Sequence, residues 1–187
     1  PPVDATPEPA PTRPTGSRLV RIDGAPQKSS SALADYVEMV WLTPALDSLF
    51  TGAASDRRRF LDRLTLCLAP AHARNASQFE RAMRQRNKLF DTGARSSVEF
   101  DGLEEIMATS GAAIAVARAT TVAAVISTIR DRHEATGDGP FPWAELQIEG
   151  TIEDWIATGA CVEATAVDAF RRRLADNRYR DQAAGRT

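Results

Sequence analysis

The chain has 187 residues, 43% hydrophobic and 26% charged, with 23 basic and 25 acidic side chains and a net charge of −2. This composition is close to the globular average and excludes wholesale disorder, while the near-neutral charge excludes a uniformly basic nucleic-acid coat. No uninterrupted apolar stretch approaches the ~20 residues that span a bilayer, so a membrane protein is not expected.

The N-terminal part predicts a lead-in followed by strands. Residues 1–17 are rich in Pro, Thr and Ala and lack a hydrophobic period, which indicates a loop or disordered segment. Residues 18–24 alternate partly and end in Asp-Gly, which is typical of a strand entering a tight turn. Residues 32–36 could form a short helix. Residues 36–42 form a mostly apolar run closed by Thr-Pro, which favours a strand buried on both faces of an α/β sheet.

Two long helical patterns follow. Ser55 is a plausible N-cap for the first, and Pro70 could kink this helix or begin another. The pattern continues to Thr92-Gly93, where it stops. A second long helix is predicted over residues 101–135. Two such helices joined by a short loop form an αα-hairpin, so we expect a coiled-coil-like arm.

The C-terminal part of the sequence predicts the end of the arm, followed by a strand and a final helix. The sequence Gly-Asp-Gly-Pro at residues 137–140 ends the second helix, residues 146–149 alternate as a half-exposed strand, and residues 163–179 form a final helix. The expected organisation is a lead-in over residues 1–17, a part with strands over 18–54, a helical arm over 55–137, and a strand plus helix over 138–187.

The usual candidates for catalysis or metal binding do not converge. They are His72, His133, Cys67, Cys161, and the adjacent pairs Glu104-Glu105 and Glu153-Asp154. Both histidines lie in polar helical surroundings and are expected at the surface, and the thiols lack CxxC spacing and are expected to be inert. Neighbouring helix positions point about 100° apart, so the carboxylate pairs are expected to face solvent. No metal site and no catalytic residue is predicted.

Basic residues on the first helical pattern are the strongest binding signal. The candidates for DNA or phosphate contact are Arg57, Arg58, Arg59, Arg84 and Arg86. The first three lie in a helical first turn, where cations oppose the helix dipole, so another reason for their presence is plausible. The alternative is an Arg-rich solvated face paired with neighbouring acids, and both interpretations stay open.

Several motifs then occur in a distinctive order. They are Val40-Trp41-Leu42-Thr43-Pro44, Leu49-Phe50-Thr51-Gly52, Arg57-Arg58-Arg59-Phe60-Leu61-Asp62, Phe79-x-x-Ala82-x-x-x-Arg86-Asn87-x-Leu89, Glu104-x-x-Met107 with Gly111 and Ile114-Ala115-x-x-Arg118, and Arg178-x-x-Asp181-x-x-x-Gly185-x-Thr187. This ordered set resembles the RecF family of DNA replication and repair proteins. The resemblance covers nearly everything after Ser17.

The resemblance implies an ABC/SMC-type ATPase of α/β fold, with a P-loop NTPase head interrupted by a long antiparallel helical arm. Residues 18–54 would then be part of the first lobe of this ATPase, residues 55–137 the arm or second lobe, and residues 138–187 the return toward the head. It further implies ATP and Mg²⁺ as cofactors and an ATP-dependent homodimer in the cytoplasm. Such a protein binds single-stranded and gapped DNA. It helps to load RecA with RecO and RecR in recombinational repair and the SOS response.

Neither a Gly-x-x-x-x-Gly-Lys-Ser/Thr loop nor a Gly-x-Gly-x-x-Gly loop occurs in the sequence. The chain opens on Pro1-Pro2 and ends on Gly185-Arg186-Thr187, so we expect an internal fragment that lacks nucleotide-binding residues and does not hydrolyse ATP alone. The competing hypothesis is a non-enzymatic helical module that binds a protein partner.

Overall fold

The computed structural model describes residues 19–37, 43, 47–93, 97–137, 143–157 and 163–185. They divide between two compact units, Pro1–Met39 and Val40–Thr187. The described part of the first unit contains a β-hairpin and a short 3-10 helix, and the described part of the second is helical.

The hairpin confirms the predicted strand and turn. Strand β1 (Val20–Ile22) pairs antiparallel with β2 (Ala25–Gln27), so that Val20 lies opposite Gln27. Asp23 and Gly24 connect them with φ angles of 50° and 81°, the positive values that a tight two-residue hairpin turn requires. A 3-10 helix over Ser30–Asp35 replaces the short helix predicted at residues 32–36. Most of the strand predicted over residues 36–42 lies outside the described residues, as does the lead-in over residues 1–17.

Six α-helices form the described part of the second unit. They are α1 (Ala54–Leu68), α2 (His72–Asp91), α3 (Ser97–Thr136), α4 (Thr151–Ala157), α5 (Glu163–Asp176) and α6 (Arg178–Ala184). The two long helical patterns are confirmed. The first is divided into α1 and α2, and the interruption includes Pro70, which was expected to kink this helix or begin another. Gly93 follows α2 with a φ of 66°, a left-handed conformation that favours glycine and confirms the predicted stop. The predicted N-cap was wrong, because Ala53 occupies that position and provides no side-chain cap.

Helix α3 lies at the centre of the unit and contacts α1, α2, α4 and α5. Its small residues form one apolar cluster with α4 and α5, and Met107 joins Ala82 of α2 and Leu174 of α5 in a second. Gly111 lies between the two clusters. A Cβ placed there would approach a Phe170 ring carbon at 3.2 Å and Phe79 and Ile152 carbons at 3.3 Å. The close approach of three large side chains therefore requires a residue without a side chain.

The α/β prediction does not describe these residues. The one sheet they contain has two strands, and residues 146–149, predicted as a strand, are irregular. Four alternating residues with no neighbouring strand cannot satisfy their backbone hydrogen-bonding groups in a sheet. The predicted boundary of the arm at residue 137 stays a prediction, and α4 and α5 both pack against α3.

Helix α3 is also long and apolar enough, by composition alone, to cross a membrane. The core helix of a water-soluble protein meets the same criterion. Here Glu104, Arg118 and Thr121 lie on α3, and the two charged side chains form ion pairs with other helices of the unit. These contacts are typical of a helix at the centre of a soluble domain.

Candidate functional site

A buried cluster of charges joins helices α2, α3, α5 and α6. Arg86 on α2 is 0% exposed, and its Nε donates a hydrogen bond to Glu104 Oε1 of α3 at 2.9 Å. Its two terminal nitrogens donate to Asp181 Oδ2 of α6 and to the carbonyl oxygen of Leu174, each at 2.8 Å. Each of the three guanidinium nitrogens of Arg86 therefore donates a hydrogen bond to an acceptor within the chain. We call this group, together with Asp101 and Arg178, the Arg86 cluster.

Arg178 completes the cluster from α6. Its Nε donates to Glu104 Oε1 at 2.9 Å, and its Nη2 donates to Asp101 Oδ1 at 2.6 Å and to Glu104 Oε2. The hydrogen bonds that Arg178 donates to the Glu104 carboxylate, opposed by burial, raise the pKa of Arg178 above its ordinary value. Glu104, which is 1% exposed, thus accepts hydrogen bonds from two guanidinium groups, which replace hydrogen bonds to solvent.

Two aromatic rings cover the cluster. The guanidinium carbon of Arg86 lies 4.8 Å from the Phe90 ring centre, and that of Arg178 lies 5.4 Å from the Phe100 ring centre. The two rings contact each other with centres 4.9 Å apart. Arg86 and Glu104 are 0% and 1% exposed, and this burial strengthens the charge-assisted hydrogen bond between them.

This arrangement changes the assignment of two predicted residues. Arg86 was a candidate for phosphate contact, but it faces the core and its donors are taken up within the chain, so we withdraw it from that set. Glu104 was expected to face solvent, which was wrong, whereas its neighbour Glu105 is exposed as predicted. The signal was present in the sequence, because Arg86 continues the apolar stripe between Met83 and Phe90 at steps of three and four.

A second cluster joins helices α1 to α4. Arg118 of α3 donates from Nε to Asp62 Oδ1 at 2.8 Å and from Nη2 to Asp62 Oδ2 at 3.0 Å. Its Nη1 donates to Glu153 Oε1 of α4 at 3.2 Å. His72 at the start of α2 contacts Asp62 Oδ1 through Nε2 at 2.9 Å. We call these four residues the Arg118 cluster.

His72 and Glu153 were therefore wrongly assigned to the surface. His72 is 2% exposed, and its Nδ1 has no hydrogen-bond partner among the described residues. Glu153 is paired with Arg118, whereas Asp154 is exposed. His133 is exposed as predicted, with its ring against the edge of Trp143.

The Arg118 cluster predicts a specific acid sensitivity. Burial raises the pKa of Asp62, but the hydrogen bonds and charge of Arg118, with those of His72, outweigh it, so the pKa lies below the ordinary 3.8. The stability contributed by ionised Asp62 is then complete above its unfolded-state pKa and is lost as the pH falls through the lower folded-state pKa. In urea denaturation, Asp62→Asn should therefore destabilise the protein most at about pH 5 and progressively less toward about pH 3.

The matched control for that experiment is Asp168→Asn. Asp168 is an exposed carboxylate, 3.8 Å from Arg171, and such surface pairs contribute little. A deficit of Asp62→Asn that stays constant across this pH range would contradict the electrostatic role of Asp62.

The remaining predicted phosphate contacts are on the surface. Arg57, Arg58 and Arg59 are exposed in the first turns of α1, and Arg84 is exposed on α2. Arg57 donates to the carbonyl oxygen of Gly52 at 2.8 Å, Arg59 lies 3.4 Å from Asp56, and Arg84 lies 3.3 Å from Glu80. Their contact with DNA stays a prediction. The structure brings the first three together and leaves their guanidinium groups accessible to solvent.

The described residues do not fit an ATP or metal site. They contain no group of three His, Cys, Asp or Glu side chains that could hold a metal ion, and the sequence lacks a phosphate-binding loop. Cys67 is a partly buried free thiol whose Sγ lies 3.5 Å from the carbonyl oxygen of Arg63, and Cys161 lies outside the described residues. No catalytic step is therefore derived from nucleotide chemistry.

Comparison with known proteins gives a consistent set of relatives. The chain is 47% identical over 92% of its length to the DNA replication and repair protein RecF of Rhizobium etli, of which it covers 45%. It is 46% identical to the RecF proteins of Mesorhizobium japonicum and Agrobacterium fabrum, over 92% and 91% of its length and 44% of theirs. No protein-family model and no solved structure matches the chain.

The motifs that resemble the RecF family and the local geometry single out the same residues. Asp62, Arg86, Glu104, Arg118, Arg178 and Asp181 all belong to the ordered motifs noted in the sequence, and all are members of the two buried clusters. The chain spans a little under half the length of the curated relatives it matches. It belongs to the RecF family and corresponds to part of a RecF protein.

Proposed function

We propose that this chain is the helical part of a RecF-type DNA replication and repair protein and that it contributes to DNA binding. The observation that carries the proposal is identity of 44–47% to proteins named DNA replication and repair protein RecF over more than nine-tenths of the chain. The buried clusters support it as a scaffold, because they hold six helices in a fixed arrangement that can present surface cations.

The first turns of α1 supply the DNA contact in this proposal. Arg57, Arg58 and Arg59 are consecutive and exposed, and Asp56, which pairs with Arg59, is itself 53% exposed. An exposed pair of this kind exchanges readily for a phosphate, because its net contribution is small. Guanidinium groups bind phosphates in a bidentate manner, and such contacts give affinity without sequence preference.

The wider activity follows from the family resemblance. We infer that the whole protein is cytoplasmic, binds ATP with Mg²⁺ and dimerises on an ATPase head of ABC type. We further infer that it acts with RecO and RecR at gapped DNA. The nucleotide-binding residues would lie in the part of RecF that this chain does not span.

The test is a triple variant of the full-length protein, with Arg57, Arg58 and Arg59 replaced by alanine. Loss of three phosphate contacts should lower the slope of log affinity against log salt for duplex DNA by about 3 and weaken binding at low salt. Fluorescence anisotropy of a labelled gapped duplex over a series of salt concentrations measures both quantities.

The control carries the same loss of charge at exposed positions elsewhere, with Arg74, Arg130 and Arg171 replaced by alanine. This variant should keep the wild-type slope. An unchanged slope in the first triple variant, with folding intact by circular dichroism, would remove these arginines from DNA binding.

One observation favours the alternative of a protein-interaction module. A groove of about 410 Å³ between α2 and α3 is lined by polar side chains around Ile106, which is 47% exposed. A full-length protein that shows no salt-dependent DNA affinity would favour this second function over the first.

A further inference from the structure

A cationic cleft lies where α4, α5 and α6 meet. It encloses about 600 Å³ and is lined by Trp155 of α4, Arg172 and Arg173 of α5, and Arg180 of α6, with Asp176 and Asn177 between them. The three arginines are exposed, whereas Trp155 is partly buried. Three arginines and one tryptophan thus line the same cleft.

The charges of this cleft are not neutralised within the described part of the chain. No ion pair there involves Arg172, Arg173 or Arg180, and Asp176 leaves the ionisable lining with an excess of two positive charges. The neighbouring Arg171 and Arg178 differ, because each is paired with acids of α3. Asp176 is the one acid among the lining residues that the structure describes, so the exposed guanidinium groups are available to an external anion.

Packing holds Trp155 in the cleft, whereas the arginine side chains that line it are exposed. Trp155 packs against the apolar cluster that α3, α4 and α5 share, which holds the indole in one position. The Arg172 Nε donates to the carbonyl oxygen of Asp168 at 3.2 Å, which leaves its terminal nitrogens available. An immobile aromatic surface flanked by cations is the arrangement by which proteins bind unpaired nucleic-acid strands, with bases against the ring and phosphates against the guanidinium groups.

We propose that this cleft binds an unpaired strand of DNA, with Arg172, Arg173 and Arg180 on the phosphates and Trp155 against a base. The inference rests on the proposed DNA-binding function and assigns it a second contact surface, separate from the arginines of α1. Duplex DNA fits less well, because its bases are stacked and paired and cannot reach an indole at the floor of a cleft.

The experiment compares two triple variants of the full-length protein, each with ATP and Mg²⁺ present. One replaces Arg172, Arg173 and Arg180 by alanine, and the control replaces Arg74, Arg130 and Arg171. With labelled oligothymidylate, the cleft variant should bind on the order of 100-fold more weakly at about 50 mM salt, and its log–log salt slope should fall by about 2. The control should match the wild type.

A second measurement does not depend on the stability of a triple variant. Oligothymidylate should quench part of the intrinsic tryptophan fluorescence, and the conservative variant Trp155→Phe should lose that part. Equal affinity of the cleft variant and the control for oligothymidylate, or undiminished quenching in Trp155→Phe, would overturn the proposal. Wild-type protein that fails to bind any DNA would instead refute the proposed function itself, so the two failures are distinguishable.

Discussion

Replacing Arg86 by alanine is expected to lower the free energy of unfolding by about 3–5 kcal/mol, the usual cost of removing one partner of a buried ion pair. The substitution leaves Asp181 without its cation, removes one of two cations from the fully buried Glu104, and deprives the Leu174 carbonyl oxygen of a donor. It also leaves a void beneath the Phe90 ring. Urea denaturation followed by far-ultraviolet circular dichroism measures the change.

The matched control is Arg84→Ala, two residues away on the same helix. Arg84 is 66% exposed and pairs with an exposed Glu80, so its removal should change stability by no more than about 1 kcal/mol. Similar losses for the two variants would contradict the structural role of Arg86. A normal stability of Arg86→Ala with reduced DNA affinity would instead restore Arg86 to the phosphate-contact set.

Met107→Ala is the second large expected effect. Met107 is 0% exposed and lies between α2 and α5, where Ala82, Leu174 and Phe170 surround it. Truncation of a fully buried side chain of this size removes about 2–5 kcal/mol of stability, because the cavity closes only partly. The loss should appear as a lower urea midpoint without a change in the slope of the transition.

Ile106→Ala is the control, because it removes a similar side chain at the adjacent position. Ile106 is 47% exposed, so its loss should cost well under half as much. A destabilisation by Ile106→Ala equal to that of Met107→Ala would show that the face of α3 assigned to the core is wrong.

This pair of residues also shows what sequence patterns could predict. The apolar spacing identified α3 and placed Ile106 and Met107 on it together, but an Ala-rich helix has no clear polar face from which to decide which side is buried. Helix existence was therefore predictable, whereas its orientation depended on the large side chains that α2, α4 and α5 bring to it.

The burial of charged side chains is the main difference between the sequence-based predictions and the structure. Charged residues are rarely buried unless paired, so Arg86, Glu104 and Glu153 were reasonably placed in solvent. Their partners lie far away in the sequence, as with Arg86 and Asp181 or Arg118 and Asp62, and local spacing contains no information about such pairs. The ordered motifs include several of these residues, but they do not indicate which of them pair with one another.

The exposed arginines of α1 were predictable, and the cationic cleft was not. Arg57, Arg58 and Arg59 are adjacent in the sequence, so any helix brings them together. The cleft requires Trp155 of α4 to meet Arg180 of α6, which depends on how three short helices pack. The run of three arginines at residues 171–173 also does not show which of them line the cleft, because Arg171 pairs instead with Glu105 of α3.

The Arg86 cluster has a consequence for the alignment of α2 with α3. Apolar contacts such as that between Ala82 and Met107 are non-directional, so by themselves they discriminate only weakly against a shift of one helical turn, about 5.4 Å. The same shift would move Glu104 out of reach of both Arg86 and Arg178 and leave ions buried without partners. The cluster thus fixes a single alignment of α2 with α3, because another alignment would leave buried ions without partners. The two helices therefore behave as one rigid unit.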